Sequence, residues 1–383
     1  MGVPATYLDS EVFYDDAPFL ENAPFLSTLI ANPNHIGCHT LNGAEKLFNG
    51  TQELEKELIK LCAEQIFVGE NDQQDGYVAS GGTEANIEAL WIYRNYFISE
   101  YKANVNQIAV IYSEDSHYSL SKGINLLNIT SIVIDVDENT RELLISDFEK
   151  KIESALISGI SYFIVNLNLS TTMFGSVDNI NTVTTFLNKK NIIYKLHVDA
   201  AFGGFIYPFS NLDSSYTFKN INISSFTIDA HKMLQTPYGT GIFLIRKGLM
   251  QYVKTQEAQY VTGTDHTLCG SRSGANAIAV WMVLHNYGSE GWKTKMQALI
   301  DRTTDVCCEL DKLGIHYYRN PYINIIAIRA TDISTTIAEK YFLVPDSHEH
   351  EPQWWKIVVM PHITRGAIDS FVNDLKMGIK LKI

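Results

Sequence analysis

Residues 192–201 read Ile-Ile-Tyr-Lys-Leu-His-Val-Asp-Ala-Ala, a β-rich run that stops on the carboxylate of Asp199 and passes at once into two small residues. Strands of continuous apolar character, rather than alternating ones, suit a sheet covered on both faces. The pattern recurs on either side. Short β-rich segments at 77–79, 108–112, 131–134, 162–166, 225–228 and 241–245 are mostly separated by helical or loop segments, and the apolar spacing at 52–67 and 84–100 is helical. Such alternation predicts an α/β fold with a mostly parallel central sheet flanked by helices. Ligands of such sheets bind beyond the carboxyl ends of the strands, which is where Asp199 stands. Outward from this core, residues 1–50 are rich in Asn, Pro, Gly and aromatics and read as an irregular N-terminal arm. Residues 51–288 form the large domain. Residues 289–383, with helical stretches at 296–313 and 368–381 around strands at 323–329 and 355–360, form a small C-terminal α/β domain.

Bulk properties narrow the function. The chain has 383 residues, 30 Lys+Arg against 43 Asp+Glu, and a net charge of −13. An acidic surface repels nucleic-acid backbones and anionic lipid, so neither is an expected partner, although a local basic pocket can still hold an anionic ligand. No apolar run reaches the roughly 20 residues that a membrane span needs. Residues 1–10 lack the basic and apolar regions of a secretory signal. The five cysteines, Cys38, Cys62, Cys269, Cys307 and Cys308, are odd in number and form no CxxC pair. They read as reduced, buried thiols of a cytoplasmic protein.

Three further stretches carry chemistry. Ser80-Gly81-Gly82-Thr83 lies between a short strand and a helix start. Glycines there let the backbone approach an anion, and free N–H groups with the helix dipole favour a phosphate. No Gly-Lys-Ser/Thr follows, so this is not a P-loop. Asp199 can hold a pyridine nitrogen protonated, which makes the ring an electron sink. Asp229-Ala230-His231-Lys232-Met233 puts a lysine directly beyond a β-rich strand, and a lysine in a desolvated pocket can form an imine. Each motif alone has an ordinary structural reading: a glycine turn, a turn-capping aspartate, a surface lysine. Together, in this order, they fit one ligand, the phosphorylated pyridine aldehyde pyridoxal 5′-phosphate.

With these motifs in place the chain resembles the fold-type I, PLP-dependent group II amino acid decarboxylases, the compact bacterial histidine decarboxylases and archaeal tyrosine/aspartate decarboxylases among them. The resemblance runs from about residue 32 to residue 365, through SGGTEAN (80–86), SEDSHYS (113–119), HVDAAFGG (197–204), DAHKM (229–233) and GSRSG (270–274). It implies a PLP-dependent transferase fold with a seven-stranded central sheet and a homodimer with its active sites at the interface. It implies that Gly82 and Thr83 bind the cofactor phosphate, with His231 contributing and Ser271 reaching the phosphate of the neighbouring subunit. His117 would stack on the ring, Ala201 would pack on it, Asp199 would face its nitrogen, and Lys232 would carry it as an imine. Thr172, in the segment 170–178, would be a further contact; Ser170 stands where the family usually has Gly.

The implied reaction is decarboxylation of an L-amino acid to its amine and CO2, through an internal aldimine on Lys232 and a quinonoid intermediate. Tyr260, in the polar segment 254–268, would return the proton to Cα. For substrate binding the resemblance points to His39 in the arm and His362 near the C-terminus, with Arg365 and Arg272 as other basic candidates. Two alternatives stay open at this level: an aminotransferase or a carbon–carbon or carbon–sulfur lyase on the same fold, and a catalytically silent binding protein.

Overall fold

The computed structural model describes residue 21, residues 46–255 and residues 264–380. Seven strands form the central sheet: β1 (Gln74–Ala79), β2 (Ile108–Ser113), β3 (Thr130–Ile134), β4 (Tyr162–Asn168), β5 (Ile193–Asp199), β6 (Ile223–Asp229) and β7 (Gly241–Arg246). Their order is β1-β7-β6-β5-β4-β2-β3. The pairings from β6 through β3 are parallel, and β7 runs antiparallel to both neighbours. The expected mostly parallel, seven-stranded sheet is thus present. β2, β6 and the ends of β4 and β5 are buried at nearly every position, which is why their sequences are apolar almost throughout.

The helices that return the chain cover both faces. They are α1 (Asn49–Lys60), α2 (Gly82–Tyr101), α3 (Ser119–Leu127), α4 (Ile145–Ile157) and α5 (Ile180–Lys189). α4 and α5 bury one stripe each, Phe148 and Ile152 in the first, Val183 and Leu187 in the second. α2 differs. Ala85, Ala89, Leu90, Ile92 and Tyr93 are all buried, so apolar residues cover most of its circumference and it sits within the core.

The chain leaves this unit along α6 (Gly274–Lys312), 39 residues with one break at Gly288, whose φ of 60° and ψ of 178° interrupt the helix. Glycine meets such a backbone cheaply. The helical stretch expected at 296–313 falls almost wholly within this one kinked helix. Trp292, Met296 and Leu299 still pack in the large core, while Val306, Cys307 and Leu310 enter the core of a second, four-stranded antiparallel sheet. That sheet has the order β10-β11-β9-β8, from β8 (Tyr317–Tyr318), β9 (Ile325–Arg329), β10 (Val344–Pro345) and β11 (Trp354–Val358), and α7 (Arg365–Lys380) closes it. One correction concerns the thiols. Cys62 and Cys307 are buried, but Cys269 and Cys308 are exposed, and all four are free; Cys38 lies outside the described residues, as does most of the expected arm. Among the described residues no helix is long and apolar enough to cross a membrane.

Candidate active site

Five strand ends meet at one edge of the sheet. Ala79 and Asp229 both pair with Gly241, and Asn168 pairs with Asp199. A cavity of about 240 Å³ opens there, lined by Gly82, Thr83, His117, Thr172, Asp199, Ala201, His231 and Lys232 among others. All eight of these residues were singled out from the sequence. Tyr260 and His39 lie outside the described residues. Ser271 is exposed in the turn before α6. His362 is exposed in the turn after β11, and Arg365 beside it is engaged by Asp305 at 2.9 Å and Asp369 at 3.4 Å. Arg272 is not available to a substrate at all. It is bound to Glu55 and to the carbonyl of Val78 behind β1, where burial is nearly complete.

The glycine turn has a steric reason. A Cβ at Gly241 would lie 2.6 Å from Gly81 Cα, and one at Gly82 would lie 2.9 Å from Asp229 Oδ2. Either would force β7 or Asp229 away from the turn. No side chain caps α2 at Gly81, and the first N–H groups of a helix have no intrahelical partner, so they remain available to an anion at the cavity's end. Glu84 fixes the turn from behind: its Oε2 accepts from Ser80 N at 2.8 Å and its Oε1 from Tyr77 Oη at 3.0 Å.

At the neighbouring strand end Lys232 Nζ lies 3.0 Å from Asp229 Oδ2, and His231 Nε2 lies 3.7 Å from the same oxygen. Asp229 is buried, and its other oxygen has no partner. Burial pushes the pKa of His231 below the ordinary histidine value. The ring of Tyr238 packs on His231 with centroids 4.4 Å apart.

Asp199 is held by two donors. Ala201 N gives Oδ1 a hydrogen bond of 3.0 Å, and Asn86 Nδ2 gives Oδ2 one of 2.8 Å. Asn86 is the hub of a buried chain. Its Nδ2 also donates to Ser119 Oγ at 2.8 Å, and its Oδ1 lies 3.0 Å from His197 Nε2. Ser119 in turn meets His117 Nδ1 with its hydroxyl at 2.9 Å and its backbone N–H at 3.2 Å. A backbone N–H can only donate, so Nδ1 of His117 is an acceptor and its proton sits on Nε2. Burial lowers the pKa of His117 as well, which keeps the ring neutral near pH 7. On the far side Ser225 Oγ lies 2.6 Å from His197 Nδ1 and is itself engaged by Tyr93 Oη. One asparagine therefore orients both the carboxylate and the histidine of the site.

Asn86, Ser119, His197 and Asp229 were not assigned roles from the sequence. A signal existed for one. His197 is two residues before Asp199 on a strand, so the two share a face. The others lie inside the quoted motifs without any pattern marking their contacts. Ser170 adds a departure of its own. It has φ of 85°, the left-handed region that favours glycine, and its buried hydroxyl has no partner. This is the position where the resemblance expects Gly.

His197 makes stability depend on pH. Burial pushes its pKa down from 6.5 to about 4. The folded state thus binds its proton only at lower pH than the unfolded state. The contribution is fully present above about pH 6.5 and is lost as pH falls toward 4. Between pH 7 and pH 5 the loss should be about 2 kcal/mol. Urea midpoints measured at both pH values should fall toward pH 5 in the wild type and fall by clearly less in His197→Gln; equal falls would refute the assignment.

The cavity suits the cofactor that the motifs imply. It offers an uncapped helix start at one end, a doubly held carboxylate, and an amine paired with a buried carboxylate that has an unmatched oxygen.

A family model described as the pyridoxal-dependent decarboxylase conserved domain matches residues 35–313. The chain is 49% identical over 376 residues to a tryptophan decarboxylase of Clostridium sporogenes, covering 98% of this chain and 90% of the relative. It is 31% identical over 365 residues to a probable L-tyrosine/L-aspartate decarboxylase of Methanocella arvoryzae, covering 92% of each. Among solved structures, L-methionine decarboxylase from Streptomyces sp. 590 superimposes with a TM-score of 0.74 at 18% identity, over 94% of this chain and 89% of that one; this likeness concerns the fold. The match over most of its length, on a fold-type I framework, makes this chain a member of the pyridoxal-dependent decarboxylases, a carboxy-lyase that uses pyridoxal 5′-phosphate to decarboxylate an amino acid.

Proposed function

We propose that the substrate is an aromatic L-amino acid, with L-tryptophan preferred and tryptamine the product. The observation that carries this reading is the 49% identity to a tryptophan decarboxylase over 98% of the chain. We further assign roles at the site. Lys232 would hold the cofactor covalently through Nζ. Gly82 and Thr83, with His231, would hold its phosphate, and Ser271 of a second copy would complete that subsite in a homodimer. Thr172 and Ala201 would bound the ring, and the neutral His117 would lie against it. Asp199 would keep a proton on its nitrogen. When bound, the cofactor supplies the sink for the electron pair left on the substrate as CO2 departs.

The protein's own residues supply the rest. Asn86 keeps Asp199 aimed by donating to Oδ2. Asp229, 3.0 Å from Lys232, balances the lysine's charge whenever its amine is free. Tyr260 is assigned the delivery of a proton to Cα, and His39 and His362 are assigned to the substrate subsite. The domain boundary is placed at Gly288, where α6 breaks, and the enzyme is assigned to the cytoplasm.

A panel of the twenty L-amino acids, with CO2 release as readout, tests the substrate. Tryptophan should give the highest kcat/KM, followed by the other aromatic residues. Preference for an acidic or basic amino acid would overturn the reading.

A further inference from the structure

Asn86 orients Asp199 and His117, and it is itself oriented from behind by a line of buried groups that ends on Tyr93. Tyr93 follows Asn86 by two helical turns on α2, which brings both to the same side of the helix. It is 0% exposed, so it opens on neither solvent nor the cavity. Its hydroxyl is engaged with Ser225 Oγ on β6. Ser225 is the register partner of His197 on β5, and its Oγ lies 2.6 Å from Nδ1 of that ring. On the other side of the ring, Nε2 lies 3.0 Å from Asn86 Oδ1 and 3.1 Å from Thr227 Oγ1.

Each proton along this line is fixed by the one before it. To keep a proton on the cofactor's ring nitrogen, Asp199 must be a carboxylate, which only accepts. The Asn86 group that faces it at 2.8 Å is then the NH2, which also donates to Ser119. Asn86 therefore turns its carbonyl oxygen to His197, so Nε2 of that ring carries hydrogen. Nδ1 is left as an acceptor, and the single hydrogen of Ser225 goes to it. Ser225 can then only accept from Tyr93, whose hydroxyl heads the line. Burial pushes the pKa of that hydroxyl up, which keeps its hydrogen in place. Every donor points toward Asp199, and aligned hydrogen bonds in a low-dielectric interior strengthen one another.

Resting on the role given to Asp199 above, we propose that Tyr93 is a positioning residue for the reaction. Its hydroxyl selects the tautomer of His197, and that tautomer holds the Asn86 amide in the one orientation that presents N–H groups to Asp199 and Ser119. Without the hydroxyl nothing directs the Ser225 hydrogen. His197 then takes up the other tautomer as well, donating from Nδ1 to Ser225 and facing the Asn86 oxygen with a bare Nε2. Two acceptors at 3.0 Å repel. The amide turns over and brings its oxygen to the carboxylate of Asp199. The same turn disturbs Ser119, and with it His117.

A double-mutant cycle of Tyr93→Phe with Asp199→Asn tests this. The readouts are kcat, KM and the rate at which the holoenzyme loses its cofactor, followed by visible absorption. Tyr93→Phe alone should lower kcat about tenfold and leave KM for tryptophan within about twofold. It should speed cofactor loss about three- to tenfold. In the Asp199→Asn background the same change should alter kcat and cofactor loss by less than about threefold, because residues acting through one another do not add. Ser225→Ala removes the next donor of the line and should repeat the pattern, so the test stands even if Tyr93→Phe folds poorly. Equal losses in both backgrounds would mean that Tyr93 only packs the core. Wild-type kcat and cofactor retention in both Tyr93→Phe and Ser225→Ala would mean that the line does not orient Asn86. Each result overturns the proposal. A rate within about tenfold of wild type in Asp199→Asn alone would instead overturn the role of Asp199, a separate result because it is read with Tyr93 unchanged.

Discussion

Lys232→Ala should release no measurable CO2 and should purify without the visible absorption of the bound cofactor. Lys232 is the lysine that β6 delivers to the cavity, one short helical turn beyond Asp229. If Lys232 is the covalent anchor proposed above, the rate should fall without its amine by about three orders of magnitude or more, equivalent to about 4 kcal/mol at the transition state. A second effect accompanies this one. Asp229 is buried, its Oδ1 is unpartnered, and Lys232 at 3.0 Å is its ion-pair partner, with His231 farther away at 3.7 Å. Removing the lysine leaves that carboxylate uncompensated, so the alanine variant should also melt lower. Lys232→Arg separates the two effects. It restores a cation beside Asp229 and hence most of the thermal stability, but it cannot anchor the cofactor, so it should remain inactive. An arginine variant with wild-type turnover would remove Lys232 from the chemistry.

The separate behaviour of those effects reflects what could and could not be read from the chain. Asp199 and Lys232 were legible because each follows a buried strand, and burial on both faces of a parallel sheet writes itself into the sequence as an apolar run. The sheet and the site edge follow from that pattern. The contacts that tune the site do not. Asn86 meets Asp199 across 113 positions and His197 across 111, and no periodicity links residues so far apart. Arg272 was one of the other basic candidates for the substrate. Only the fold shows Glu55, 217 positions away, neutralising it.

Asp199→Asn should retain the cofactor and lose the reaction. Lys232 and the glycine turn are untouched by the change, so the visible absorption should persist. Turnover should nonetheless fall by about three orders of magnitude, about 4 kcal/mol, because a neutral amide does not hold a proton on the pyridine nitrogen and the ring then accepts electrons poorly. The substitution is isosteric but not neutral for the fold. Asp199 accepts from Ala201 N at 3.0 Å and from Asn86 Nδ2 at 2.8 Å, and an amide has a single acceptor oxygen. One of these two donors must then face an NH2 group, at a cost of about 1–3 kcal/mol for a buried, unmatched donor. Asn86 cannot rotate its amide to compensate, because its Oδ1 lies 3.0 Å from His197 Nε2 and its Nδ2 also donates to Ser119, which orients His117. Relief of the mismatch at Asp199 would therefore disturb His117. The measurement is cofactor absorbance, single-turnover rate and thermal midpoint on one preparation. Full absorbance, a lowered midpoint and a rate down about a thousandfold is the expected triple, whereas full absorbance with a rate within tenfold of wild type would show that the ring nitrogen does not depend on Asp199.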